Sequence, residues 1–174
     1  MLARPAENGQ KRAALAAASI IQQELRSMKK ALIYKLPSRL VVCPVSTTTS
    51  GIGIASEPYI VLPTPASAVE LGASINQALA SSFAGVEHPS SWKGLATPRL
   101  AAAGVRSEAT FQKQASLVSV NADGNTATFT PHRNGGATGP DKGYSPIDEC
   151  AVYVDPKTQE AWGAAAFKVF EHCA

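Results

Sequence analysis

Apolar and polar positions alternate along the chain with the two-residue period of strands in some segments and a helical spacing in others. The segment from Ala31 to Val45 holds two apolar runs around Pro37-Ser38, which predicts a β-hairpin. A second hairpin is predicted from Ser116–Val120 and Thr126–Thr130, because Asp123-Gly124 between them supplies the positive φ angles of a tight turn.

Helices are predicted in the middle and at the end of the chain. Ser67 and Glu70 have the spacing of a capping box, so a helix should begin there. Its apolar stripe would be Leu71, Ile75, Leu79 and Phe83, and Gly85 would end it. Short helices should follow Thr97-Pro98, closed by Gly104, and follow Ser107. Asp155-Pro156 should open a final helix whose core face holds Trp162, Ala166, Val169 and Cys173.

The remaining segments complete the predicted fold. Ser46–Pro58 should be a loop, Tyr59–Leu62 a buried strand, Pro131–Pro146 a long surface loop and Cys150–Val154 a strand. This order predicts an α+β fold, a mostly antiparallel or mixed sheet covered by helices. The chain also has a weak internal repeat. The strand, proline and helix that lead to Gly72 resemble those that lead to Gly163, which indicates a duplicated unit.

The length and composition predict one domain with an extension. A chain of 174 residues with 45% apolar residues can form one core but not two full-sized ones. We expect this domain to span residues 28–174, starting at Met28 before a strand-like run. Residues 1–27 would be an Ala-rich extension, either helical or not native to the protein. A cleaved signal peptide is the alternative, although the polar residues Gln22–Glu24 follow its apolar run directly.

Charge and cysteine content restrict the partners and the compartment. A net charge of +3 with scattered Lys and Arg lacks the basic patch of a nucleic-acid binder. No run approaches the ~20 apolar residues that cross a bilayer, so no membrane contact is expected. Cys43, Cys150 and Cys173 are odd in number and widely spaced, which favours free thiols in a reducing, cytoplasmic location.

Motifs for cofactor or metal chemistry are missing from the sequence. Gly51-Ile-Gly53 lacks the third glycine of a dinucleotide fingerprint, and zinc-ligand spacings are lacking as well. We therefore expect no cofactor and no metal. His88 and His132 could act together as general acid and base of a small hydrolase or nuclease, but each is also typical of a surface or capping histidine.

An acidic stretch is the clearest charged feature. Asp141, Asp148 and Glu149, with Asp155 and Glu160 further on, outnumber the lysines around them. They could form a patch for a basic partner. A solvated surface with a helix cap is the alternative interpretation.

Three collinear motifs resemble the immunity proteins of contact-dependent growth inhibition systems. They are Thr47–Pro58, His88–Trp92 and Phe129–Gly136, and the resemblance runs from Met28 to residue 173. It implies a non-catalytic cytoplasmic inhibitor that binds the C-terminal toxin domain of a large effector, often a nuclease. Glu57, Trp92 and Arg133 from the motifs, with Asp141, Asp148 and Glu149 from the acidic stretch, are then the candidate toxin-binding residues.

Two other interpretations stay open from the sequence. The motif residues could instead cap loops and fix the Gly-rich turns, with no direct contact to a toxin. The whole chain could also be a scaffold protein without a toxin partner. Trp92 is the best candidate for a binding anchor if its side chain is exposed.

Overall fold

The computed structural model describes residues 28–124, 126–155 and 158–174, which form an α+β domain. The predicted fold class is confirmed. The described strands are β1 (Lys29–Leu36), β2 (Arg39–Thr48), β3 (Gly53–Ala55), β4 (Ile60–Pro63), β5 (Ala84–Val86), β6 (Ser116–Asp123), β7 (Thr126–Asn134), β8 (Tyr144–Pro146) and β9 (Val152–Val154). The described α-helices are α1 (Ala68–Ala80), α2 (Thr97–Ala103), α3 (Glu108–Gln114) and α4 (Gln159–Phe170), and a 3-10 turn spans Asp148–Cys150.

The strands form one curved, mostly antiparallel sheet in the order β3-β2-β1-β6-β7-β8. The short strands β4 and β5 pair with β2, and β9 pairs with β7. Among the described pairings, β5 with β2 is the parallel one. Side chains of alternate residues therefore point to two faces, which we call the inner face, covered by α1 and α4, and the outer face, partly covered by α2 and α3.

The inner face carries the larger core. Ile33, Val42, Val120 and Phe129 point from the central strands toward α1 and α4, and each is fully buried. The two helices touch backbone to backbone, because a Cβ added at Gly72 would overlap the Gln159 carbonyl and one at Gly163 would overlap the Ala68 carbonyl. A larger residue at either position would force the helices apart.

The outer face holds a second, smaller core over the first hairpin. Tyr34, Val41 and Cys43 are buried there, and the ring of Phe111 from α3 meets Tyr34 edge to face with centroids 5.0 Å apart. Ser107 accepts a hydrogen bond from the Thr110 amide and caps α3, as predicted. The left-handed Gly104 ends α2, also as predicted.

The hydrogen-bond register shows that the chain is built from two similar halves. Ile33 pairs with Val42 in the first hairpin, and the residues 87 positions later, Val120 and Phe129, pair in the second. β1 and β6 pair antiparallel at the centre, so a pseudo-twofold axis passes between them. The first half (residues 29–83) and the second half (residues 116–174) thus share the order hairpin, short strand, edge strand, helix.

The helices and their ends repeat with a slightly longer spacing. The N-caps Ser67 and Thr158 and the contact glycines Gly72 and Gly163 lie 91 positions apart. The Thr47 amide donates to the Phe83 carbonyl in one half, and the Asn134 amide donates to the Ala174 carbonyl in the other. The weak internal repeat in the sequence therefore extends through both halves. The spacing is 87 residues for the hairpins and 91 for the helices, so the four extra residues of the second half lie between its hairpin and its helix.

Several predicted boundaries are wrong for identifiable reasons. The helix after Ser67 ends at Ala80 with Ser81 as its cap, while Gly85 lies in β5 and Phe83 is 60% exposed. The segment predicted as a buried strand is the edge strand β4, whose Val61 is 44% exposed. Gly85 was predicted as a helix end, but it lies in a strand that pairs with β2. The local sequence does not show such pairing, because the partner strand is distant along the chain.

Two predicted loops also contain strands. The stretch Ser46–Pro58 includes β3, and the predicted loop Pro131–Pro146 includes the end of β7 and all of β8. The Cys150–Val154 strand is β9 from Val152, preceded by the 3-10 turn. The final helix begins at Gln159 with Thr158 as its cap, later than predicted. The extension over residues 1–27 lies outside the described residues.

Candidate functional site

A groove with a volume of about 250 Å³ opens beside β3 on the outer face. The edge strand β3, Tyr59 after it, the loop around Trp92 and the first turn of α2 form its walls. Its lining is Gly53, Ile54, Ala55, Tyr59, Trp92, Leu95, Ala96 and Arg99. Aromatic rings, aliphatic side chains and one guanidinium are the composition that binding anchors of a protein partner favour.

Trp92 is held in an exposed position by a chain of polar contacts. Its ring meets His88 edge to face at 5.6 Å, and His88 Nδ1 lies 2.8 Å from the hydroxyl of Ser50. Ser50 in turn contacts Thr48 at 3.0 Å between hydroxyl oxygens. Trp92 remains 53% exposed. The side chain of Trp92 is therefore exposed, as a binding anchor requires. Residues of the Thr47–Pro58 and His88–Trp92 motifs contact each other in this network.

Arg99 connects the groove to the outer core. Its guanidinium lies over the rings of Phe111 at 4.7 Å and Tyr34 at 5.6 Å. It also forms an ion pair with Glu108 in α3, at 2.5 Å. Burial raises the pKa of Tyr34, so the phenol stays protonated and can accept from the guanidinium. This arrangement fixes α2 and α3 against the sheet and gives the groove a rigid floor.

Tyr59 lines the other side of the groove, and Glu57 lies two residues before it in the chain. Burial raises the pKa of Tyr59 to about 12, and its hydroxyl donates to the Ala55 carbonyl at 3.2 Å. Burial likewise raises the pKa of the Cys43 thiol to about 12, so this cysteine is protonated and unreactive. Glu57 is exposed in the loop between β3 and β4. Its carboxylate is available to a partner that docks at the groove.

The other predicted site residues lie at the opposite end of the strand order. Arg133 is exposed on β7 opposite Ser145 of β8, and Asp148 and Glu149 are exposed in the 3-10 turn. Asp141 is exposed in the loop between β7 and β8. Its backbone carbonyl lies against Gly135, and a Cβ added at Gly135 would overlap this carbonyl. The structure thus divides the six predicted residues into two groups and does not form one patch from them.

The two histidines of the hydrolase alternative have different partners. His88 bonds to Ser50 near the groove, whereas His132 Nε2 lies 2.9 Å from the Ser119 hydroxyl on the outer face of the second half. Burial lowers the pKa of His132, partly opposed by the nearby carboxylate of Asp148. Each imidazole thus contacts a different serine, His88 one in the turn after β2 and His132 one in β6.

Sequence reasoning missed half of the groove lining. The missed residues lie outside the three motifs, and they are Tyr59, Leu95, Ala96 and Arg99. A usable signal was the short spacing from Trp92 to the Thr97-Pro98 helix start, which places the first turn of α2 beside the tryptophan. No comparable signal in the sequence predicted that β3 would pair with β2 and form the other wall of the groove.

Groups of three or more metal-binding side chains are not found within residues 28–124, 126–155 and 158–174. In those same ranges, every helix is too short or too polar to span a membrane.

The chain is similar in structure to two solved proteins. A Neisseria meningitidis protein of unknown function, NMB0488, superposes with a TM-score of 0.70 and 16% identity, over 86% of this chain and 97% of that one. A chain of the CdiA-CT/CdiI toxin and immunity complex from Yersinia pseudotuberculosis superposes with a TM-score of 0.66 and 12% identity, over 84% and 98% of the two chains. No protein-family model and no curated protein matches the sequence. The likeness establishes a shared fold.

Proposed function

We propose that the protein is an immunity protein that binds and neutralises the cognate toxin domain of a contact-dependent growth inhibition effector. The fold shared with a chain of a toxin and immunity complex, over nearly the whole of that chain, carries the proposal. The three sequence motifs support the same class. The protein would act in the cytoplasm, as a stoichiometric inhibitor without catalysis of its own, on a toxin with nuclease activity.

The groove beside β3 is the proposed docking surface for the toxin domain. It combines an exposed tryptophan, a second aromatic side chain and an arginine held rigid by two rings and a carboxylate. Rigid aromatic and arginine side chains lose little conformational entropy on binding, so they supply much of the affinity in protein interfaces. Glu57, two residues before Tyr59, adds a charged contact.

The acidic residues at the other end of the sheet have a separate proposed role. Asp141, Asp148 and Glu149 are exposed on loops, where carboxylates accelerate the approach of a positively charged nuclease more than they hold it. Asp148→Asn with Glu149→Gln should therefore slow association at low salt and leave the dissociation rate nearly unchanged. Stopped-flow binding at two ionic strengths separates these rates.

The experiment that tests the function uses the toxin domain encoded by the neighbouring gene. Co-expression of that domain with the full chain should rescue cell growth, and the two proteins should co-purify. Trp92→Ala should weaken binding at least tenfold by calorimetry, because an anchor contributes about 2 kcal/mol or more. Val69→Ala on α1, a position 49% exposed and outside the groove, is the matched control and should bind normally.

The outcomes separate the competing functions. Failure of both rescue and co-purification would refute the immunity role. Normal binding by Trp92→Ala would keep the role and remove the groove from the interface. Hydrolysis of RNA or DNA by the purified chain, lost in the His88→Ala and His132→Ala double variant, would establish the enzyme in its place.

A further inference from the structure

Arg99, in the first turn of α2, is the one charged side chain among the described residues that line the groove. The rest of the lining is aromatic, aliphatic or glycine. The volume of about 250 Å³ lies below the ~300 Å³ at which pockets for small molecules begin, so the groove fits one or two side chains of a protein partner. A side chain that enters it meets apolar walls and one guanidinium.

The guanidinium of Arg99 has more hydrogen-bond donors than the described residues have acceptors for it. Arginine carries five N–H groups and no acceptor. Nη2 donates to the Glu108 carboxylate, and Nη1 donates to the Tyr34 hydroxyl at 3.5 Å. Nε is buried and has no partner within residues 28–124, 126–155 and 158–174. A buried donor without an acceptor is unfavourable, so this side chain gains from an acceptor that a partner brings.

Neighbouring side chains hold the guanidinium in one orientation. Its central carbon lies over the ring of Phe111 at 4.7 Å and over the ring of Tyr34 at 5.6 Å. The ion pair with Glu108 holds one of its nitrogens. The Arg99 side chain is 19% exposed, so part of it is accessible to a partner. Because arginine hydrogen bonds lie in the plane of a rigid fork, this fixed group selects acceptors by direction as well as by charge.

The charges near the groove are balanced, which favours a neutral acceptor over a carboxylate. Arg99 and Glu108 are opposite charges in contact. Lys93 and Glu57, also opposite in charge, are exposed one and two residues away from lining residues. A partner carboxylate would therefore find no net positive charge to attract it. A backbone carbonyl or a side-chain amide can accept from Arg99 without disturbing this balance.

We propose that Arg99 determines which toxin segment the groove accepts, by donating hydrogen bonds to a neutral oxygen on that segment. The segment carries an apolar side chain, which packs against the exposed side chains of Trp92 and Leu95. Next to it, a backbone carbonyl or a side-chain amide meets the guanidinium. The inference rests on the immunity function proposed above and adds the chemistry of the group that the toxin presents.

The first test changes the shape of the donor and keeps its charge. Arg99→Lys loses the planar fork, so its affinity for the toxin domain encoded by the neighbouring gene should fall about tenfold by calorimetry, the effect of one hydrogen bond to a charged donor. Arg106→Lys is the matched control, because Arg106 is exposed between α2 and α3 and does not line the groove. Its affinity should equal that of the parent chain.

A second variant separates recognition by Arg99 from its support of the helices. Glu108→Gln breaks the same ion pair from α3 and leaves the guanidinium in the groove. Its affinity should fall only about two- to threefold, the effect of a partly exposed ion pair. If the Arg99 variants do not fold, the ¹⁵N–¹H spectrum of the parent chain gives the same information. The Arg99 Nε–H signal should shift and exchange more slowly with water when the toxin domain is added.

Ionic strength distinguishes a neutral acceptor from a carboxylate. Arg99→Met removes the charge together with the donors and keeps an apolar side chain. With a neutral acceptor, the loss of affinity in this variant should be the same at low and high salt. With a carboxylate, the loss should shrink as salt screens the attraction in the parent complex.

The outcomes separate this inference from the immunity function. If the parent chain does not bind the toxin domain, both are refuted. If the parent binds and Arg99→Lys binds equally well, or if Glu108→Gln or Arg106→Lys loses as much affinity as Arg99→Lys, only the role of Arg99 is refuted. An unchanged Nε–H signal in the complex has the same meaning. A loss in Arg99→Met that shrinks with salt would overturn the neutral acceptor.

Discussion

The two halves of the sheet share their backbone hydrogen bonds and differ in what covers them. Both bury an inner face under a helix, and the two helices meet through Gly72 and Gly163. On the outer face, the first half has an apolar core beneath α2 and α3, with the groove beside it, while the second half has a row of hydroxyl and amide side chains. One backbone thus supports two surfaces, because register depends on the strands and polarity depends on the side chains that alternate along them.

The largest expected effect tests the shared part of the comparison. Gly72→Ala and Gly163→Ala should each lower the free energy of unfolding by about 3 kcal/mol, since the added methyl groups overlap helix carbonyls. The two losses should agree closely because the contacts are reciprocal. Urea unfolding measures both, with the exposed Gln77→Ala as control. A loss at one glycine alone would mean that the helix contact is not symmetric.

The next prediction tests the outer faces by exchanging equivalent residues. Val41→Thr places a hydroxyl in a fully buried position and should lower the free energy of unfolding by about 1–3 kcal/mol. The reverse change at the equivalent site, Thr128→Val, should stay within about 0.5 kcal/mol because that face is half-exposed. Chemical denaturation of the two variants decides the point. Equal losses of unfolding free energy in the two variants would show that the cover by α2 and α3 does not make the two outer faces different.

A smaller difference is expected at the two helix starts. Ser67 exchanges hydrogen bonds with Glu70 in a complete capping box, whereas the residue equivalent to Glu70 in α4 is Ala161 and only the Thr158 hydroxyl caps. Ser67→Ala should lower the free energy of unfolding by about 1 kcal/mol, and Thr158→Ala by somewhat less. Thermal unfolding of both variants tests the order, and a reversed order would contradict the role of the box.

The smallest effect concerns pH and is restricted to the second half. Burial lowers the pKa of His132 below its usual value of 6.5 in the folded protein, so the unfolded chain binds the proton more readily. The contribution of His132 to the free energy of unfolding should be fully present above pH 6.5. It should decline as the pH falls from 6.5 toward the lowered pKa of the folded protein. His132→Gln should flatten this decline. A slope that persists in His132→Gln would assign it to another group.

Local signals in the sequence were sufficient for the elements that depend on neighbours along the chain. The hairpin around Asp123-Gly124, the capping box at Ser67 and the Gly104 helix end all depend on residues within a few positions of each other. They were predicted correctly for that reason. The errors, at Gly85, β3 and β8, concern short strands whose existence depends on a distant pairing partner.

The candidate site divides in the same way. Trp92 and Glu57 were recognised as candidates, but their neighbours Tyr59, Leu95 and Arg99 were not, because the groove forms only when β3 pairs with β2 and α2 packs beside it. The acidic residues were chosen from one stretch of sequence and Arg133 from a motif, and the tertiary structure places them at the far end of the strand order from Trp92.

The sequence by itself determined the α+β class, both hairpins, the caps at Ser67, Gly104 and Ser107, and a weak internal repeat, since these follow from period, turn chemistry and capping. Only the tertiary structure decided that the weak internal repeat is two-fold, that its helices meet through glycines, and that a groove opens beside one half. Contacts between residues nearly 90 positions apart depend on packing of whole elements, and no local pattern records which elements will meet.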